Sequence, residues 1–335
     1  MRRYFPLPVL LLIAAELLSG QKTANLRLGQ SDVIGDMTNF STGFHFVQWR
    51  WGHFIAWDKV EQPEGRIAVY NPSLILEKVL SFRIDHADSI SIVSADMTRD
   101  GKVVASGLAR QSDGARARFL ALITKEGEIA RMVRTEPYLP QYICAADDGN
   151  VWTVGEEWLG PGKVKQNDYA VLREYNFHTG LVRGVLEREQ FHGERVAFGG
   201  PVHAAILRCD GRTVRLYSDV THQWFEYDTD SGILAEADIE AFSNNLTSAT
   251  GLAVTSTGKV LFSIENMKSV QQTRIFELTP PGADKKRHWS PVAGTECKQA
   301  GTCILEIVGI EDGRLILKEA DQGVLKIYRA ELLGD

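Results

Sequence analysis

The sequence predicts an all-β fold built from repeated four-stranded antiparallel units. Short apolar runs of strand length, rich in β-branched and aromatic residues, alternate with turns throughout the chain. Glycines that follow a turn-forming residue recur about every 50 residues, and they are Gly52, Gly101, Gly149, Gly211, Gly258 and Gly313. Four strands in each of six such repeats are typical of a six-bladed β-propeller.

The third repeat shows the unit most clearly. Apolar runs at 142–146, 151–154, 169–175 and 181–186 are separated by turn-forming segments at 147–150 and 176–180. Asp148-Gly149 lies at the first of these turns, where a tight hairpin needs the positive φ that glycine adopts without strain. These features together describe one meander of four strands.

The other repeats follow the same order. In the first and second we expect strands at 44–47, 53–57, 66–70 and 76–82, and at 90–95, 102–106, 118–124 and 129–133. In the fourth and fifth we expect them at 202–207, 214–217, 224–227 and 233–237, and at 250–255, 259–264, 274–278 and 288–292. The sixth repeat supplies only three, at 304–310, 314–318 and 324–328.

An early segment can complete the sixth repeat. Residues 24–33 alternate weakly between polar and apolar and have no other assignment. If they form the outer strand of the last blade, the ring closes and an exposed sheet edge is removed. Two separate sheet domains are the alternative, but no Pro/Ser-rich linker divides the chain. We therefore predict one propeller domain over 21–335.

The first 20 residues resemble an export signal. Arg2 and Arg3 precede an apolar run at 7–18, and Ser19-Gly20 offers a cleavage point. The run is shorter than the roughly 20 residues of a membrane-spanning helix. We expect cleavage and an exported protein, periplasmic or extracellular, with no membrane span afterwards; an uncleaved anchor is the alternative.

Charge and cysteine content give further information about binding partners and disulfides. The chain has 37 basic and 43 acidic residues, a net charge of −6 without a basic stripe, which argues against nucleic acid as a partner. Export would place the four cysteines in an oxidising compartment. Cys297 and Cys303 bracket a short, flexible spacer and are predicted to form a disulfide. Cys144 and Cys209 are interpreted as small buried residues of separate repeats.

The segment 144–152 (CAADDGNVW) and the strand 274–278 (RIFEL) resemble the NHL-repeat and gluconolactonase-like (TolB-like) group of six-bladed propellers. The resemblance extends over the whole mature chain as a pattern. Most repeats lack the fuller motif of that group, and Gly52 follows Trp51 in place of aspartate. The resemblance implies the fold, and a function only by analogy.

In such a ring, the loops between second and third strands and between successive blades converge at one mouth of the central channel. The Asp-Gly turns lie at the opposite mouth, so Asp100, Asp148, Asp210 and Asp312 are interpreted as turn formers. Candidate ligand-binding residues at the convergent mouth are Trp57, Asp58, Arg110, Trp158 and His203. The segment 155–168, the longest insertion, is expected to be a loop that could contact a partner.

Four oxygen-bearing residues from different blades are expected near the same mouth: Glu156, Asp219, Asn266 and Glu319. Oxygen ligands from several directions suit a hard divalent cation such as Ca²⁺, and the gluconolactonase resemblance implies a divalent metal near this place. Solvated loop charges are the alternative interpretation.

The sequence favours binding over catalysis, because it contains no Gly-x-Ser-x-Gly elbow and no metal-binding histidine motif. The leading hypothesis is an exported binding or scaffolding module that engages a protein, peptide or glycan at one mouth of the channel. A metal-dependent hydrolase or lactonase acting in the channel is the second, and a purely structural repeat is the third. The fold alone does not choose between them.

Overall fold

The computed structural model of the chain describes residues 26–36, 46–160, 163–191, 205–241, 247–266, 272–295, 305–321 and 324–334. In these ranges the chain forms six antiparallel sheets in a ring, with one short 3-10 turn at Arg188–Gln190. The predicted all-β fold and the six-bladed propeller are confirmed. The predicted signal (1–20), His203, Cys297 and Cys303 lie outside the described residues.

Strands are numbered in chain order, and β1 is Arg27–Asp36. Blade 1 contains β2 (Phe46–Arg50), β3 (His53–Trp57), β4 (Gly65–Tyr70) and β5 (Leu76–Phe82). Blade 2 contains β6 (Ser89–Met97), β7 (Val103–Arg110), β8 (Arg116–Ile123) and β9 (Ile129–Arg134). Blade 3 contains β10 (Tyr138–Ala145), β11 (Val151–Gly160), the short β12 (Lys163–Val164), β13 (Ala170–Asn176) and β14 (Gly180–Glu187).

The remaining blades keep this order. Blade 4 contains β15 (Ala205–Asp210), β16 (Thr213–Ser218), β17 (Gln223–Asp228) and β18 (Leu234–Asp238). Blade 5 contains β19 (Thr247–Val254), β20 (Val260–Asn266), β21 (Gln272–Leu278) and β22 (Trp289–Pro291). Blade 6 contains β23 (Leu305–Glu311), β24 (Arg314–Asp321) and β25 (Val324–Leu333).

The N-terminal strand closes the ring, as predicted. β1 pairs antiparallel with β25, from Arg27 opposite Leu333 to Asp36 opposite Lys326, and it forms the outer edge of blade 6. It covers Arg27–Asp36 in place of the predicted 24–33. The first and last strands that the structure describes therefore share one sheet.

The hydrophobic core is divided among the six interfaces between neighbouring blades. Each interface has its own cluster of buried residues contributed by both blades. Between blades 4 and 5, the ring of Phe262 packs edge-on against Tyr217 (centroids 5.0 Å apart) and Trp224 (5.7 Å). Such close-packed interfaces hold the blades as a rigid frame around the channel.

The turns between first and second strands have the predicted chemistry. Gly101, Gly149 and Gly211 have φ values of 79°, 84° and 54°. Hydrogen bonds from Lys102 and Thr98 lower the pKa of Asp100 to about 2. Trp51 is the exception, because a bulky side chain here has a φ of 50°, where glycine, asparagine or aspartate is preferred.

The expectation that residues 155–168 form a loop is wrong for 155–160 and 163–164, which are strands, whereas 165–168 lie outside any strand. β11 continues to Gly160 and pairs antiparallel with β12, and the N–H of Lys165 donates to the carbonyl of Glu157 at 2.7 Å. The N–H of Trp158 donates to the carbonyl of Pro137 at 3.0 Å. The polar composition of this segment suggested a loop, whereas its backbone groups are satisfied by strand pairing.

The interpretation of Cys144 and Cys209 as unlinked is also wrong. The two residues form a disulfide between blades 3 and 4, with their Cα atoms 5.9 Å apart. Both end inner strands, and inner strands of neighbouring blades lie side by side around the channel. Equivalent positions in successive repeats are therefore close in space here.

Candidate ligand-binding site in the channel

The channel is lined by the first strand of every blade, and it widens into two chambers. The convergent chamber lies at the mouth where the blade-connecting loops meet and has a volume of about 360 Å³. The turn-side chamber lies at the mouth formed by the first-to-second-strand turns and measures about 210 Å³. Arg208 of β15 lines both, so it marks the floor between them.

The convergent chamber has polar groups set in an apolar wall. Its apolar surface comes from Val47, Val93, Ile143, Ile206, Leu252, Ile307 and Val308. Its polar side chains are Gln48, Lys59, Ser94, Gln141, Tyr142, Arg208, Ser248 and Thr250. A few placed polar groups in an apolar concavity are typical of small-ligand sites.

Hydrogen bonds outside the chamber hold several of these side chains. The amide of Gln48 donates to Asp96 at 3.0 Å, and the amide of Gln141 donates to Glu156 at 3.0 Å. The hydroxyl of Thr250 bonds that of Ser263 at 3.0 Å. The orientations of these chamber groups are therefore fixed before any ligand arrives.

Buried acidic groups lie beside the chamber. Burial, followed by the charges of Glu156 and Asp219, raises the pKa of Tyr142, whose hydroxyl also has a backbone hydrogen bond with Ala205. Burial raises the pKa of Asp219 too, although hydrogen bonds from Tyr217 (2.9 Å), Ser248 and the N–H of Ala249 oppose the rise. Perturbed groups gathered at a cleft are a common feature of functional sites.

Lys59 adds a cation at the rim. It follows β3 and is exposed to solvent, yet partial burial against the rim lowers the pKa of its ammonium group. Its backbone carbonyl accepts a hydrogen bond from the hydroxyl of Ser91 at 2.7 Å, which anchors this part of blade 1 to blade 2.

One of the predicted ligand-binding residues lines the convergent chamber. Trp57 is 6% exposed and forms part of its wall. The carboxylate of Asp58 caps its own turn by accepting from the N–H of Val60 at 3.1 Å. Arg110 ends β7, where it forms an ion pair with Glu61 at 3.6 Å, and Trp158 lies in the β11–β12 extension. Neither of these two lines the chamber.

Three of the four predicted metal ligands lie in strands, and Asp219 follows one. Glu156 is 2% exposed within β11, and Glu319 of β24 accepts a hydrogen bond from Tyr328. Asp219 follows β16, and the backbone of Asn266 ends β20. In the part of the chain that the structure describes, no three His, Cys, Asp or Glu side chains converge as an ion site.

The main residues missed by the sequence analysis lie on the inner strands. Gln48, Arg50, Asp96, Gln141 and Arg208 interrupt otherwise apolar or alternating runs. In a blade that leads with its inner strand, a polar residue there faces the channel on every second position. That alternation is the signal that could have identified them.

The turn-side chamber has a different character. Its lining residues are Trp49, Arg50, Trp51, Arg208, Asp210, Leu252, Ala253, Val254, Gly309 and Ile310. Arg50 donates to the carbonyl of Ala145 at 2.9 Å and lies 3.7 Å from the buried carboxylate of Asp96. Arg208 donates to the carbonyls of Leu252 (3.1 Å) and Val308 (3.3 Å).

No family model and no curated protein matches the chain. A protein of Bacteroides fragilis that is described as exported matches in structure with a TM-score of 0.54 and 9% identity, over 92% of this chain and 96% of that one. A luciferin-regenerating enzyme matches with a TM-score of 0.50 and 12% identity, over 91% and 96%. A periplasmic gluconolactonase of Pseudomonas aeruginosa matches with a TM-score of 0.40 and 15% identity, over 81% of this chain and 79% of that one.

At these identities the similarity shows the fold alone. The resemblance predicted from the sequence therefore holds as a shared six-bladed propeller fold. In the described ranges, none of the helical structure has the length and apolar content needed to cross a membrane.

Proposed function

We propose that the chain is an exported binding protein that receives one polar unit of a glycan or peptide in the convergent chamber. The observation that carries this proposal is the chamber itself, in which amides and hydroxyls from several blades are set in an apolar wall. Its volume of about 360 Å³ suits a single sugar ring or one side chain with its backbone.

The order of the chamber supports binding of a defined ligand. Gln48, Gln141 and Thr250 are held by partners that face away from the ligand space. Binding would then cost little side-chain entropy, which favours affinity at a given contact area. Trp57 contributes aromatic surface to the wall, although most of its side chain is buried between blades 1 and 2.

Export is part of the proposal. The segment 1–20 has the pattern of a signal, and one solved structure of similar fold belongs to a protein described as exported. The disulfide between Cys144 and Cys209 is also consistent with an oxidising compartment.

A thermal-shift screen of mono- and disaccharides, N-acetylated sugars and short peptides tests this function. A ligand at about 100 times its dissociation constant stabilises the folded state by about 2.7 kcal/mol. We expect at least one such ligand, with affinity at least tenfold weaker in Gln141→Ala. The control is Gln166→Ala, an exposed glutamine outside the channel. No stabilising ligand, or equal affinity in both variants, would contradict the proposal.

A hydrolase acting on a lactone or ester is the second candidate. It is favoured by Tyr142, whose pKa is raised by burial and, to a smaller extent, by the charges of Glu156 and Asp219 beside the chamber. A luciferin-regenerating enzyme shares the fold. Among the described residues, no three His, Cys, Asp or Glu side chains gather at one point, so a Ca²⁺-like cation would also need amide, hydroxyl or backbone oxygen donors.

Turnover of lactones and aryl esters, with Ca²⁺, Mg²⁺, Mn²⁺ or Zn²⁺ and with EDTA, tests the second candidate. A positioned acid or base contributes roughly 10²–10⁴ in rate, so Glu156→Gln and Asp219→Asn should each lower turnover by at least 100-fold. Turnover that is unchanged in both variants would rule out the hydrolase candidate. Turnover that stays at background with every metal would also rule it out.

A further inference from the structure

We propose that the turn-side chamber is a second binding site, which takes a small organic carboxylate between the guanidinium groups of Arg50 and Arg208. This chamber opens at the mouth opposite the convergent chamber. The inference is therefore independent of the proposed function.

The two arginines of this chamber share their carboxylate partners with other groups. Arg50 and Arg208 both line it, and Asp96, a buried carboxylate 3.7 Å from Arg50, attracts both guanidinium groups. Asp210 also lines the chamber, and Arg215 engages its carboxylate at 3.1 Å. Burial, followed by repulsion from Arg50, lowers the pKa of Arg208, while the charges of Asp96 and Asp210 oppose the decrease, and a guanidinium remains charged in proteins. A buried guanidinium is costly unless an anion pairs with it directly.

Arg208 retains the capacity to bind a ligand. Among the described residues its hydrogen bonds go to two backbone carbonyls, those of Leu252 and Val308. A guanidinium has five N–H donors, and Asp96 and Asp210 act on Arg208 through their charge, without a hydrogen bond to it. Arginine pairs with carboxylates through two parallel hydrogen bonds, so the remaining donors suit an oxyanion.

The remaining lining of the turn-side chamber favours a ligand with an apolar organic group over an inorganic ion. Trp49, Leu252, Val254 and Ile310 contribute apolar surface to the chamber. At about 210 Å³ it is smaller than the pockets of roughly 300–1,000 Å³ that hold drug-sized ligands. A compact acid with an apolar or aromatic body fits both the charge and the size.

Trp51 supplies an independent sign that this mouth is specialised. It is 37% exposed and has a φ of 50°, a conformation unfavourable for a bulky residue. Its indole N–H donates to the carbonyl of Met97 at 3.0 Å. The guanidinium carbons of Arg50 and Arg99 lie 4.9 Å and 5.6 Å from its ring centroid. Strained residues held by such contacts are concentrated at functional sites.

Calorimetric titration at constant ionic strength tests the proposal, with benzoate as the probe and benzamide and inorganic phosphate for comparison. We expect saturable binding of benzoate, with benzamide and phosphate at least tenfold weaker. If benzamide bound as tightly as benzoate, the guanidinium pair would not recognise the carboxylate. Equal or tighter binding of phosphate would remove the role of the apolar wall, and no benzoate binding would overturn the site.

Variants locate the site. Trp51→Asn places a residue that the turn favours, so the fold is retained while the wall is lost, and benzoate affinity should fall at least fivefold. Arg208→Lys keeps the charge without the planar fork and should also weaken binding. Arg83→Gln, an exposed arginine of blade 1 whose side chain is 76% exposed, and Gln141→Ala should leave affinity unchanged. Weaker benzoate binding in either control variant would contradict the assignment. Unchanged benzoate affinity in Trp51→Asn would also contradict it.

Discussion

At the scale of single residues, the channel is defined by polar side chains on strands that are otherwise apolar. Asp96 is fully buried and accepts hydrogen bonds from Gln48, from its neighbour Met97 and from Ala145 of the next blade. It therefore joins three blades through one carboxylate. The sequence shows these polar residues, but the partner of each depends on which blades are neighbours and at what register.

A residue-scale prediction concerns His288. Hydrogen bonds to Glu240 (2.9 Å) and then Asp284 raise its pKa above the usual 6.5. A raised histidine pKa means that the contribution to stability is complete below pH 6.5 and is lost as pH rises through the folded-state value. An NMR titration should give a midpoint above 6.5, shifted down by Glu240→Gln and unchanged by Glu128→Gln. A midpoint at or below 6.5 would contradict this.

A second residue-scale prediction concerns the closeness of the inner strands. A Cβ atom on Gly251 would lie 2.0 Å from the backbone oxygen of Ile307 in the next blade. Gly251→Ala must separate two strands of the channel wall, so we expect a loss of about 1–3 kcal/mol in urea unfolding. Gly282→Ala is the control, because its nearest neighbour is the flexible carboxylate of Asp284 at 3.1 Å. Equal stability of the two variants would show that the strands yield easily.

At the scale of elements, strand order was predictable and strand extent was not. The sixth repeat lacked a strand, and β1 supplies it. In contrast, β11 runs to Gly160 through residues that resemble a loop, since Glu156 accepts a hydrogen bond from Gln141 and Glu157 pairs with Arg173. Tertiary partners of polar side chains decide such cases, and composition does not contain them.

The closure strand gives an element-scale prediction. Deleting 27–36 removes the ladder between β1 and β25 and exposes the edge of β25. Several hydrogen bonds at roughly 0.5–1.5 kcal/mol each are lost, so we expect a fall of about 3 kcal/mol or more in unfolding free energy. Deletion of 21–23, which precede the strand, serves as the control. A melting curve unchanged by the first deletion would show that closure contributes nothing.

The disulfide between blades 3 and 4 gives a second element-scale prediction. Cys144 and Cys209 are 65 residues apart in the sequence. Removing a disulfide that closes such a loop should lower the free energy of unfolding by about 2–4 kcal/mol. Non-reducing peptide mapping should find them linked, and Cys144→Ala/Cys209→Ala should unfold at lower temperature. The matched control is Cys297→Ser/Cys303→Ser, which leaves the blade 3–4 link in place. Free thiols at 144 and 209 in exported protein would contradict the assignment.

At the scale of the whole molecule, the period of the turn glycines was sufficient to predict the ring. It could not predict what the ring surrounds, because a propeller fold supports many functions. Of the candidate site residues, Trp57 lines the chamber, and Glu156 and Asp219 lie beside it. The residues that line the chamber from the inner strands emerged only when the six blades were assembled.

The account depends most on the claim that the convergent chamber holds the ligand. A crystal structure of the protein with the tightest ligand from the saccharide and peptide screen tests that claim directly. We predict the ligand in the chamber, with polar atoms in hydrogen-bond distance of Gln141 or Tyr142. A ligand bound on the outer face of the blades, with the convergent chamber empty, would contradict the account.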